Sequence, residues 1–147
     1  METSNREWLY QQIVDGAQDA IVFADPEGII RLWNSGAEAI FGYSAEEALG
    51  QTLDLIVPEK MRERHWEGYR KVMDTGVTKY SSDLLAVPAL KNDNSRLSVE
   101  FTIVLLRDGT GKPQGTAAIM RDVTKRWQKE KELKKRLAEL EEREKKT

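Results

Sequence analysis

The feature that most restricts the fold is the segment Leu97-Ser98-Val99-Glu100-Phe101-Thr102-Ile103-Val104-Leu105. Leu97, Val99, Phe101, Ile103 and Leu105 fall at every second position, so a strand turns all five onto one face. A strand with one apolar face belongs in an antiparallel sheet covered on one side. Its chain neighbours supply the partners. Lys91-Asn92-Asp93-Asn94-Ser95 is a turn, and residues 78–90 before it form a further extended segment. Pro88 places that segment at an edge or a bulge, because proline cannot donate to a ladder. Residues 108–115 form a loop that leads to a last strand at 116–123. Near the start, Ala20-Ile21-Val22-Phe23-Ala24 and residues 29–33 flank Asp25-Pro26-Glu27-Gly28 and read as a hairpin. Two strands, a helical stretch, then three strands in succession predict an α+β fold: a five-stranded antiparallel sheet with its helices on one face.

The helical stretch is punctuated by its caps. Asn34 or Ser35 starts one helix and Gly42 ends it. Ser44 followed by Glu47 is a capping-box pattern for a short helix ending at Gly50. Leu53, Leu55, Ile56 and Val57 form a buried connector. A longer helix then runs from Pro58 to Met73, with proline and acid at its start and Gly76 as its stop. Upstream of the sheet, Asn5 caps a helix to about Asp15, whose Trp8, Leu9 and Ile13 require something to pack against.

The 58–73 helix carries the single histidine. Helical spacing sets Met61, His65, Gly68 and Val72 on one face. A lone histidine on such a face is usually a core residue with its ring nitrogens hydrogen-bonded. The sharper reading is an axial metal ligand. One imidazole makes no conventional site of three or four protein ligands. Haem is the exception, because the porphyrin brings four nitrogens of its own.

Composition narrows the function classes. With no cysteine there is no disulfide framework, no thiolate metal site, no cysteine nucleophile and no cysteinyl flavin adduct. No apolar run is long enough to span a membrane and the start lacks a signal-peptide pattern, so a cytoplasmic setting is expected. From Thr124 onward there are ten Lys/Arg and six Asp/Glu, a balance of +4; the chain totals of 23 and 25 leave 13 and 19 upstream, or −6. An acidic domain followed by a basic helix is not a nucleic-acid footprint. In that helix, Leu133, Leu137 and Leu140 repeat at four and three, the seam of a coiled coil. Three leucines do not hold a lone helix in water, so a partner helix is expected. The chain thus divides into an N-terminal helix (1–15), a sheet domain (16–124) and a C-terminal coiled-coil helix (125–147).

The stretch Trp33-Asn34-Ser35-Gly36-Ala37-Glu38-Ala39-Ile40-Phe41-Gly42-Tyr43-Ser44-Ala45-Glu46-Glu47-Ala48-Leu49-Gly50 and the closing Ile119-Met120-Arg121-Asp122-Val123-Thr124, in this order of elements, resemble a PAS domain. The resemblance covers about Ile13 to Thr124. It implies a sensory, dimerising module that relays signals along a C-terminal helix to an output domain absent from this chain. Residues from Pro58-Glu59 through Arg64-His65 to Tyr69 further resemble the haem-binding PAS domain of rhizobial oxygen-sensor histidine kinases. That resemblance implies haem b with His65 as iron ligand. It implies propionate contacts from Tyr69, Arg70 and Lys71, although the family's tyrosine and arginine positions are here Gly68 and Lys71. Leu85 stands where the family has a distal arginine, and Phe101 and Ile103 align with apolar residues over the iron. A pocket without a distal donor favours CO or NO over O2.

Two readings follow. One is a haem-based gas or redox sensor that acts as a homodimer through its N-terminal helix, its C-terminal helix or both. The alternative is a PAS domain with another small ligand or none, serving to dimerise and relay. An enzyme is not expected, for want of a second histidine, a cysteine or a carboxylate pair in a site. Gly109-Thr110-Gly111-Lys112 lacks the spacing of a phosphate loop and reads as a hairpin turn.

Overall fold

The structure, a computed structural model, describes residues 2–78 and 85–146. Its centre is a five-stranded sheet of β1 (Ala20–Ala24), β2 (Ile30–Trp33), β3 (Leu85–Leu90), β4 (Arg96–Arg107) and β5 (Pro113–Asp122). The order is β2-β1-β5-β4-β3, with every neighbouring pair antiparallel. The helices are α1 (Glu2–Gly16), α2 (Ser35–Phe41), α3 (Ala45–Ala48), α4 (Arg62–Thr75) and α5 (Thr124–Lys146). The extended segment expected at 78–90 is realised as β3 at its end, and residues 79–84 lie outside the described ones. Pro88 falls in an edge strand, where a missing N–H is tolerated.

The alternation of β4 is what the sheet is built on. Leu97 and Val99 are buried and Phe101 packs against the same core. Cross-strand register carries this face through Met120, opposite Phe101, and Ala118, opposite Ile103, to Ala20 and Val22. Trp33, Ala37, Phe41, Ala48 and Ile56 cover it from the helical side. Each fully buried large side chain, such as Phe41, Ile30 or Val99, contributes about 1.5–3 kcal/mol. On the other face, Ile119 and Val104 remain exposed.

The caps read from the sequence hold these helices in place. The Asn34 side chain accepts from the Ala37 N–H at 2.9 Å and the Ile21 N–H at 2.8 Å, and donates to the carbonyls of Val14 and Asp19 at 2.8 and 3.0 Å. One amide thus fastens α2, β1 and the end of α1 together. Ser44 and Glu47 form the reciprocal capping box of α3, which stops short of Gly50. The expected 58–73 helix begins as a 3-10 turn at Glu59–Met61, and Gly76 closes α4 in the left-handed conformation at φ 70°.

The two terminal helices stand apart from this core. α1 begins before the Asn5 cap that the sequence suggested. Its Trp8, Leu9 and Ile13 are exposed, as are Leu133, Leu137 and Leu140 of α5. α5 starts directly from β5: the Val123 N–H donates to the Ser98 carbonyl at 2.8 Å, and the Ser98 N–H donates to Thr124 Oγ1 at 2.9 Å.

Candidate functional site

α4 is seated by three contacts along its length. Near its start the Trp66 ring fills the space beside Gly28, whose left-handed turn at φ 79° leaves no room for a Cβ. The Trp66 Nε1–H donates to Asp54 at 2.7 Å. One turn on, the Tyr69 hydroxyl reaches the carbonyls of Ala24 at 3.1 Å and Asp25 at 2.5 Å. At the end, Arg107 donates to the Gly76 carbonyl.

The packed face of α4 keeps Met61, His65 and Val72 of the stripe read from spacing, but is wider and turned toward Trp66 and Tyr69, away from Gly68. His65, Trp66, Val72 and Met73 are half-buried and Tyr69 is buried, whereas Gly68 is exposed. The cause is chemical. Trp66 and Tyr69 each bring a large apolar ring and a polar tip; Asp54 in the 53–55 turn accepts from the first tip, and the carbonyls of Ala24 and Asp25 at the end of β1 accept from the second. Trp66 and Asp54 were missed as site residues because the phase was set by the smaller apolar residues.

His65 lies against these rings. Its centroid is 4.9 Å from Trp66 at 74° and 6.0 Å from Tyr69 at 35°. Its Nδ1 atom is buried and has no hydrogen-bond partner among the described residues. Burial lowers the imidazole pKa below its usual 6.5, with the Asp54 carboxylate opposing. The ring is thus held neutral at pH 7. Burial likewise pushes the Tyr69 phenol up to about 12, against a hydrogen bond with Thr116.

The remaining expected site residues divide into two groups. Phe101 and Ile103 point to the helical side of β4, in register with Met120 and Ala118. Ile103 also borders an open cleft of about 440 Å³ with Gly76, Val77, Thr78 and Leu105. Leu85 is paired with Phe101 through its backbone, and its side chain is outside the described ones. Arg70 and Lys71 are exposed. Among the described residues, no group of three or more His, Asp or Glu is placed to hold a metal ion. A metal here would have to bring its other donors with it, as haem does.

A family model of the PAS fold matches residues 14–128. The chain belongs to the PAS family. The sensor protein FixL of Bradyrhizobium diazoefficiens is 30% identical to this PAS domain over 138 residues, which is 92% of this chain and 26% of that protein. The cell-division control histidine kinase PdhS of Brucella ovis is 29% identical over 121 residues, 82% of this chain and 11% of that protein. The chain therefore spans about a quarter or less of the lengths of these relatives. The crystal structure of the PAS domain of a Colwellia psychrerythraea protein superimposes with a TM-score of 0.69 at 26% identity, covering 80% of this chain and 96% of that one. PAS domains are sensory modules rather than catalysts. No helix among the described residues is long and apolar enough to cross a membrane.

Proposed function

We propose that this PAS domain is the sensory module of a histidine-kinase-type signalling protein and that His65 takes the iron of haem b. The observation that carries this reading is the buried, unpartnered Nδ1 of a histidine held neutral by its surroundings. Neutral imidazole is the form that ligates iron, and a buried polar atom without a partner is a cost that coordination or a hydrogen bond relieves. Haem would supply an open coordination position at which CO, NO or O2 binds, or a redox change at the iron.

In this reading Phe101 and Ile103 form the apolar wall on the sheet, with Leu85 carried beside them on β3. Arg70 and Lys71 are the cations for the propionates at the solvent edge. Tyr69 has its hydroxyl committed to Ala24 and Asp25 and so seats α4 rather than reaching a propionate. The output path is short. β5 continues through Val123 into α5, whose exposed leucines pair with a second copy and align an effector domain beyond it, in the cytoplasm. α1, with Trp8 and Ile13 uncovered, offers the same homodimer a second contact.

A second reading has its own observation. Trp66 against Gly28 and Tyr69 on the β1–β2 turn close α4 onto the sheet with the protein's own side chains. A PAS domain filled in this way holds another small ligand or none, and His65 is then a core residue.

One spectrum separates the two. Protein produced with a haem precursor is expected to show a Soret band that moves on reduction and on CO addition, and His65→Ala is expected to lose it. A colourless protein that stays dimeric after haem feeding supports the second reading. A full Soret band in His65→Ala removes His65 as the ligand.

A further inference from the structure

A line of alternating charges crosses the outer face of the sheet from the end of α1 to the start of α5. Asp19, just before β1, accepts two hydrogen bonds from Arg121 on β5, both at 3.2 Å. Arg121 stands directly opposite Glu100 on β4. Glu100, only 18% exposed, accepts from Arg126 in the first turn of α5, and Arg126 lies 3.9 Å from Glu130 one turn on. Two ion pairs thus flank the β4–β5 pairing, Asp19–Arg121 on the β1 side and Glu100–Arg126 on the α5 side, with Arg121 and Glu100 in register between them.

The sequence of α5 gives this line a second meaning. The seam residues Leu133 and Leu137 have Arg126 and Glu130 seven positions before them, at the same helical phase. In a parallel in-register pair of helices, Arg126 would meet Arg126 and Glu130 would meet Glu130. Charges forced together in a seam carry a desolvation cost with no compensating partner.

We propose that the Asp19–Arg121–Glu100–Arg126 ladder is a positioning device for α5. It holds Arg126 on the sheet and out of the seam, so that pairing with a second copy begins at Leu133. This rests on the reading of α5 as the relay helix, but not on the identity of any cofactor. The ladder also gives the charge-rich start of α5 a fixed direction relative to β4 and β5, which is what a relay needs if movement of those strands is to reach the helix.

The chain has no cysteine, so two can be introduced for spin labels, at Lys60 and Lys135, both exposed. The labelled chain is diluted with excess unlabelled chain, so that only distances within one copy are read by pulsed electron paramagnetic resonance. A single narrow distance peak is expected for the parent. Glu100→Gln and Arg126→Gln are expected to lose it to a broad distribution, and Arg121→Gln to broaden it less. Arg126→Lys, which keeps the charge beside Glu100, is expected to keep a narrow peak, which separates loss of the pair from loss of folding. A narrow peak retained in Glu100→Gln or Arg126→Gln overturns the proposal, as does an Arg126→Lys distribution as broad as that of Arg126→Gln. An unchanged Arg121→Gln overturns the part assigned to Asp19 and Arg121. Failure to bind haem leaves this readout untouched.

Discussion

Tyr69→Phe tests how α4 is held, because it removes one oxygen and leaves the ring. The hydroxyl is the only part of Tyr69 that reaches the carbonyls of Ala24 and Asp25. Taking it away leaves buried acceptors short of a donor, a loss of about 1–2 kcal/mol. For a domain of this size that lowers Tm by roughly 2–8 °C. The pH dependence adds a signature that a general loss of packing lacks. The folded phenol titrates near 12 and the unfolded one near 10.0. A group whose folded pKa is raised contributes stability that is whole below the unfolded value and is lost between the two, here from pH 10 to 12. The gap is worth at most about 2.7 kcal/mol. The chain has four tyrosines, and the other three are the same in both proteins, so whatever they contribute cancels in the difference. Urea unfolding followed by tryptophan fluorescence at pH 8, 10 and 12 should therefore show the parent's advantage over Tyr69→Phe shrinking as pH rises. Equal stability at pH 8, or a constant difference across the series, would refute the account of how α4 is seated.

Asn34→Ala should cost about 2–4 kcal/mol in urea unfolding, since it removes a helix cap and strands the Val14 and Asp19 carbonyls; a loss below half of that would show that water replaces the amide. Gly28→Ala places a Cβ where the Trp66 ring lies and strains a left-handed turn. It should cost about 2 kcal/mol and shift the tryptophan emission, and an unchanged emission maximum would contradict the contact. Leu137→Glu at the middle of the α5 seam should weaken self-association by roughly tenfold or more in sedimentation, and an unaltered profile would show that pairing does not run through α5.

The sheet was legible because its signals are local. The alternation in β4, the Pro/Gly turn between β1 and β2, and Pro88 at an edge each follow from one residue and its neighbours. The Asn34 cap and the Ser44–Glu47 box were equally plain, since a cap is set by a residue and the N–H groups just beyond it. The face of α4 was read rightly at Met61, His65 and Val72, but Trp66 and Tyr69 were missed and Gly68 was wrongly included. Spacing ranks apolar residues alike, whereas the phase was decided by two polar tips, on Trp66 and Tyr69, finding acceptors on segments 12 and more than 40 residues away. The pairing of Asp19 with Arg121, 102 positions apart, is invisible to any local pattern for the same reason. The buried Nδ1 of His65 belongs to both kinds: its place on an inward-facing helix was readable, but its want of a partner depends on what the other elements bring near it.

The outermost strands leave little for another strand to grow on. β2 has four residues and an irregular pairing with β1 between Phe23 and Ala24, and β3 carries Pro88. Short, irregular or proline-bearing edges are poor templates for strand addition. When copies of such a domain are concentrated together, their contacts fall to side chains on helices, which separate again, and not to main-chain ladders, which extend. Crowding this module favours association that comes apart on demand over fibre growth.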